Sequence, residues 1–171
     1  MKVPVSVWQL VKRDARALNE LVIDSFGRVG PPVLHVCGER DFGSLQRRVT
    51  RADYRLVAVL DGLGAAYGAC DLAVMRSGGT VWELAAAGLP AILVPYPFAT
   101  ADHQTLNARY FERGGGAIVV PETELGRVPE LARSLLDDPA RLELMAEHMR
   151  TLARPNAARE IADGLMALAS S

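Results

Sequence analysis

The residues best equipped for chemistry lie in the run Arg76-Ser77-Gly78-Gly79-Thr80, with Glu83 three positions further on. Gly78 and Gly79 lack a Cβ, so the backbone can turn sharply there and come close to a ligand. Helical spacing begins directly afterwards, and the start of a helix offers free N–H groups and a partial positive charge. Ser77 and Thr80 add hydroxyl donors, and Arg76 adds a full charge. This is equipment for holding an anion. Glu83 has a structural reading as well, because Thr80-x-x-Glu83 is a capping-box pattern. A second polar group, His103, Gln104 and Asn107, stands at the start of a later helical stretch. Gln104 and Asn107 are three apart and share a helical face. Each amide both donates and accepts, which suits hydroxyl groups. His103 either orients the neighbouring loop, touches a phosphate or is structural.

The elements that must position these residues follow from periodicity. Residues 72–75 form an apolar run before the glycine turn. Helical spacing over 81–87 ends at Gly88 and Pro90, and a second apolar run covers 91–94. A polar loop, 95–101, leads to a helix expected over 102–113. Strand, glycine turn, helix, strand is a βαβ unit, which builds parallel sheets with ligands beyond the carboxyl ends of the strands. Before this unit, strands are expected at 3–11, 33–37 and 56–60, and helices at 15–26, 42–51 and up to residue 69, the last capped by Asp61. After it, Gly114-Gly115-Gly116 stops a helix that offers Leu106, Tyr110 and Phe111 to the core. A last strand is expected at 117–120, then amphipathic helices at 125–136, 139–152 and 157–168. The pattern predicts an α/β fold: one doubly wound, mostly parallel six-stranded sheet with helices on both faces and a helical C-terminal tail.

Composition sets limits. The chain has 171 residues and a net charge of −1. That is enough for one domain with a real core, and nothing in it argues for nucleic acid. Arg47, Arg48 and Arg51 read as a solvated basic face. Cys37 and Cys70 edge apolar runs and read as reduced core thiols of a cytosolic protein. No apolar run reaches the ~18 residues of a membrane span, no signal peptide is visible, and no metal-ligand spacing appears. His35 and His148 have no carboxylate or serine partner in sequence, and Trp8 and Trp82 read as packing residues.

The runs RSGGTVWELAAAGLPAILVPYP, DHQTLNAR and GGGAIVV, with ARALNEL at 15–21 and LDGLGAAYGACD at 60–71, resemble the donor-binding half of family 28 glycosyltransferases. The likeness runs in order over nearly the whole chain. It implies the Rossmann-like C-terminal half of a GT-B enzyme, a single nucleotide-sugar-binding domain over 1–171 with the N-terminal acceptor domain absent. The nearest branch transfers N-acetylglucosamine from its UDP carrier to a lipid-linked muramyl-pentapeptide in peptidoglycan synthesis. On that resemblance the Leu60 backbone would meet the uracil. Gly78, Gly79 and Thr80 would hold the diphosphate, Glu83 the ribose hydroxyls, and Gln104 and Asn107 the sugar. Arg76, Ser77 and His103 complete the expected donor set. No cofactor is implied, and no catalytic residue is found, since the family's general base comes from the other half. The expected partners are a UDP-sugar and an acceptor domain or separate subunit, through which peripheral contact with the inner face of the membrane would arise. The domain alone is expected to be inactive; a degenerate domain, or another sugar or a small-molecule acceptor, is the alternative. Two departures stand out. Leu10-Val11-Lys12-Arg13-Asp14 replaces the usual Gly-Gly-Ser-x-Gly loop, and the Arg76–Thr80 turn is one residue shorter than in typical members.

Overall fold

A computed structural model describes residues 6–9 and 16–169, and all statements of structure concern these. Six strands form one sheet in the order β3-β2-β1-β4-β5-β6. They are β1 (Ser6–Gln9), β2 (Val33–Val36), β3 (Tyr54–Val57), β4 (Leu72–Met75), β5 (Ala91–Leu93) and β6 (Ala117–Val119), and every neighbouring pair is parallel. The strand order reverses between β1 and β4, so the crevice where ligands of such sheets sit opens beyond their carboxyl ends. The segment that leaves β1, with Lys12, Arg13 and the rest of 10–15, lies outside the described residues, as do the Trp8 side chain and the first residue of the ARALNEL run.

Both faces of the sheet are covered, which is why β4 and β5 read as unbroken apolar runs. Successive side chains point to opposite faces. Leu72, Val74 and Ile92 pack with Leu18, Val22 and Phe26 of α1 (Arg16–Phe26) and with Val128, Ala132 and Leu135 of α6 (Val128–Leu136). Ala73, Met75, Ala91 and Leu93 pack instead with Val81 and Leu84 of α4 (Val81–Ala87), Phe111 of α5 (His103–Arg113) and Met149 of α7 (Pro139–Leu152). The last helix, α8 (Ala157–Ala169), has no buried residue. No helix among the described residues is long and apolar enough to cross a membrane.

Several expectations need correction. The helix placed at 42–51 is α2 (Glu39–Leu45) followed by a 3-10 turn at Gln46–Arg48. Gly38, at φ 82°, makes a turn that sets the helix going three residues early. The third strand runs over Tyr54–Val57, not 56–60, because Val33 of β2 pairs with Tyr54. The turn before it is fixed by Arg51, which donates to the carbonyls of Phe26 and Pro31 and to the Asp53 carboxylate. Arg48 is ion-paired with Glu20 and Asp24. Of the three arginines read as a solvated face, only Arg47 fits that description. Helix α3 (Leu63–Ala69) is capped by Gly62 in a left-handed conformation, φ 73°, and not by Asp61. The α5 helix turns Ala108 and Phe111 inward, leaving Leu106 64% and Tyr110 38% exposed. The sixth helix begins at residue 128, because a 3-10 turn occupies Glu122–Arg127.

The glycine triplet after α5 does more than stop a helix. A Cβ on Gly114, Gly115 or Gly116 would lie 2.4, 2.3 or 2.6 Å from side-chain atoms of Leu152, His148 and Met149 respectively. Only glycine lets α7 close over this corner. Cys37 is buried and Cys70 partly so, both as free thiols, and burial pushes the Cys70 thiol up to about 12.

His35 does have a chemical role, a structural one. It is 2% exposed, with Nδ1 2.7 Å from the Tyr54 hydroxyl and Nε2 3.0 Å from Asn19 Oδ1. Asn19 Nδ2 donates to the Cys37 carbonyl at 3.0 Å and to Asp41 Oδ2 at 2.9 Å. Neither partner can donate, so the orientation of the amide is fixed, Nε2 of His35 carries the proton, and Nδ1 accepts from Tyr54. Together these bonds tie α1, β2, β3 and α2 into one block.

Candidate donor-binding site

The glycine turn sits at the carboxyl end of β4, beside the point where the strand order reverses. Gly78 and Gly79 do not take positive φ, so the turn itself does not demand glycine. What marks them is space: a Cβ at either position would meet no atom of the described residues within 4 Å. The N–H groups of Gly78, Gly79 and Thr80 donate to no acceptor among the described residues, while their carbonyls already accept from Val81, Trp82, Glu83 and Leu84. Bare N–H groups at an open turn are what an anion needs.

The expected capping box does not form. Thr80 is the N-cap residue of α4 but makes no side-chain cap bond. Glu83 is exposed on the first turn, and its Oε2 accepts from the Tyr67 hydroxyl at 3.3 Å. Its carboxylate is therefore turned across to α3.

Arg76 and Ser77 belong to the framework beneath the turn. Arg76 is 6% exposed and ion-paired with Glu122. Its Nη1 also lies 3.3 Å from the Val94 carbonyl and 3.4 Å from that of Pro95, and its guanidinium packs over the Tyr96 ring, 5.4 Å from the centroid. The charge expected for a ligand is thus engaged with Glu122. Ser77 is fully buried and donates through Oγ to the Gln104 carbonyl at 2.8 Å.

Gln104 and Asn107 lie at the start of α5, next to the glycine turn. Gln104 Oε1 accepts from Tyr96 N–H at 3.0 Å, and Asn107 Nδ2 donates to the Ser77 carbonyl at 3.2 Å. A backbone N–H only donates and a carbonyl only accepts, so both amides are fixed in orientation. Gln104 has its NH2 group to spare and Asn107 its Oδ1. His103 is exposed and its Nδ1 donates to the Thr100 carbonyl at 2.7 Å, holding the short turn Thr100–Asp102. Leu60 lies in the loop between β3 and α3, half-buried, and its backbone makes no hydrogen bond among the described residues. The turn, Glu83, Gln104 and Asn107 are thus gathered at the carboxyl edge of β4 and β5. Tyr67 and Glu122 had no signal in the sequence: one reads as a core aromatic, the other as a helix-start carboxylate after Pro121. Among the described residues no cluster of His, Cys, Asp or Glu could hold a metal ion.

Comparison with known proteins gives this geometry a setting. The chain is 40% identical over 163 residues to the UDP-N-acetylglucosamine--N-acetylmuramyl-(pentapeptide) pyrophosphoryl-undecaprenol N-acetylglucosamine transferase of Nitratidesulfovibrio vulgaris, covering 90% of this chain and 45% of that protein. The chain thus spans about half the length of the curated relatives it matches. A crystal structure of Acinetobacter baumannii MurG superposes with a TM-score of 0.82 at 28% identity, over 94% of this chain and 51% of that one. The calicheamicin glycosyltransferase CalG4, at TM-score 0.72 and 18% identity, covers 99% of this chain and 45% of its own, and shares the Rossmann-like fold. The profile of the glycosyltransferase family 28 C-terminal domain matches residues 13–163, and the chain belongs to that family.

Proposed function

We propose that this domain binds a UDP-sugar, UDP-N-acetylglucosamine, as the donor half of an inverting glycosyltransferase. The acceptor would be lipid-linked, in cell-wall glycan synthesis. The observation that carries this reading is the open turn at Gly78 and Gly79, with its undonated N–H groups at the switch point of a family 28 C-terminal domain. The turn would hold the diphosphate, which becomes the leaving group, and so stabilise the charge that develops on it. Glu83 would accept from the ribose hydroxyls, as a charge-assisted pair. Leu60 would meet the uracil through its backbone. Gln104 and Asn107 would read the sugar, the first donating and the second accepting. Arg76 and Ser77 would act by holding the turn in place, and His103 by holding the loop before α5. The acceptor site and general base would come from an N-terminal half, in the same polypeptide or in a separate subunit. That half would bring the domain to the inner face of the membrane from the cytoplasm.

Titration calorimetry with UDP tests the reading. The wild-type domain should bind, and Gly78→Val should lose binding while keeping its melting temperature, since the new side chain projects into open space. A folded wild-type domain that takes up no heat from millimolar UDP would overturn it. The assignment of α5 has its own test. Changing both Gln104 and Asn107 to Ala should leave UDP affinity intact. The advantage of UDP-N-acetylglucosamine over UDP should fall by roughly tenfold, about 1 kcal/mol or slightly more from the lost hydrogen bonds. Equal losses for both ligands would place this helix against the nucleotide instead.

A further inference from the structure

We propose that Tyr67 is a positioning residue for donor binding: its hydroxyl sets the direction of the Glu83 carboxylate before the nucleotide arrives. The inference rests on the reading of Glu83 as the ribose acceptor. Glu83 is a long side chain on an exposed first turn, and on its own it would sample many rotamers. The bond that would normally restrain it, to the backbone of its helix N-cap, is not made. Among the described residues its carboxylate has one hydrogen-bond partner, the Tyr67 hydroxyl 3.3 Å from Oε2. Tyr67 itself has no such freedom. Its ring is 3% exposed and packs in the core cluster with Met75, Val81 and Leu84, so its hydroxyl emerges from a fixed body.

The chemistry of the pair has one sense. Burial, and after it the nearby Glu83 charge, push the Tyr67 phenol well above the usual tyrosine range. The hydroxyl stays protonated at working pH and can only donate to the carboxylate. An oxygen of a carboxylate accepts more than one hydrogen bond, so Oε2 keeps a lone pair for a ribose hydroxyl and Oε1 keeps both. The rotamer cost of ordering Glu83 is thereby met in the free protein, which is how preorganisation raises affinity.

Tyr67→Phe keeps the packed ring and removes only the hydroxyl. The probes are UDP and 2′,3′-dideoxy-UDP, which lacks the hydroxyls that Glu83 would accept from, measured by calorimetry on the whole chain. Wild type should prefer UDP by about tenfold or more, the worth of hydrogen bonds to a charged group. Tyr67→Phe should cut that preference by between about twofold and tenfold, with affinity for dideoxy-UDP and the melting temperature nearly unchanged. Glu83→Gln should cut the preference too, and adding Tyr67→Phe to it should change nothing further. A tyrosine that merely packs would leave the preference intact in Tyr67→Phe, which overturns the proposal while leaving the Glu83 assignment standing. If wild type binds both nucleotides equally, the ribose role of Glu83 fails and the proposal falls with it.

Discussion

Replacing Glu122 with Gln is expected to destabilise the domain by about 3 kcal/mol. The carboxylate is the counter-charge of Arg76, a guanidinium 6% exposed beneath the glycine turn. Glutamine keeps the size and one acceptor but removes the counter-charge from a buried cation that also meets the Val94 and Pro95 carbonyls and the Tyr96 ring. The side chain of Glu122 is 26% exposed, so water relieves part of the loss, and the low end of the range for a broken buried pair applies. For a domain of this size the melting temperature should drop by roughly 6–12 °C. The double change Arg76→Met, Glu122→Leu should recover much of the stability, since an apolar pair of similar volume avoids burying charge altogether. On the proposed role of Arg76 in holding the turn, it should also still bind UDP. Urea unfolding gives the first two results and calorimetry the third. Loss of UDP binding in the stable double variant would mean that the charge of Arg76 reaches the ligand.

Between pH 6.5 and pH 4 the domain should lose about 3 kcal/mol of stability through His35 alone. Burial drives the imidazole down to about 4, against an opposing pull from the Asp41 carboxylate. Above pH 6.5 the ring is neutral in folded and unfolded chains alike, and stability is indifferent to its titration. Between the two values the unfolded chain binds a proton that the folded one refuses, so each unit of acidification costs about 1.4 kcal/mol. Below about pH 4 both states are protonated and this contribution levels off. Asp41, held below the usual carboxylate range by Arg40 above all and also by Asn19, then takes over as it is protonated. His35→Gln should remove most of the slope above pH 4 and leave the acid limb. Urea unfolding of both proteins at several pH values measures this; parallel curves would mean that His35 carries no part of the acid sensitivity.

The sequence by itself determined the alternation of strands and helices, because apolar periodicity is a local property. It determined that the unit from 72 to 94 is a βαβ crossover, since Leu72–Met75 and Ala91–Leu93 are buried on both faces and so uniformly apolar. Gly88, at φ 66°, closes α4 where the sequence says it should. The candidate-site residues stand together as a motif, and Gly78 and Gly79 carry open space around them and no strain within the chain.

Only the tertiary structure decided what each polar side chain is attached to. Arg76 reaches a carboxylate 46 positions away, and Ser77 donates to the Gln104 carbonyl 27 positions on and accepts from Asn107 30 positions on. No window of sequence holds both ends of such a bond. The same is true of helix faces. Leu106 and Tyr110 have helical spacing, yet α5 turns Ala108 and Phe111 to the sheet, because the neighbours that choose the face are β6 and α7. Thr80 and Glu83 have the spacing of a capping box, but a buried tyrosine hydroxyl from another helix takes the carboxylate. Local pattern fixes which elements form. Which donor finds which acceptor depends on the packing of distant elements, and that exists only once the chain is folded.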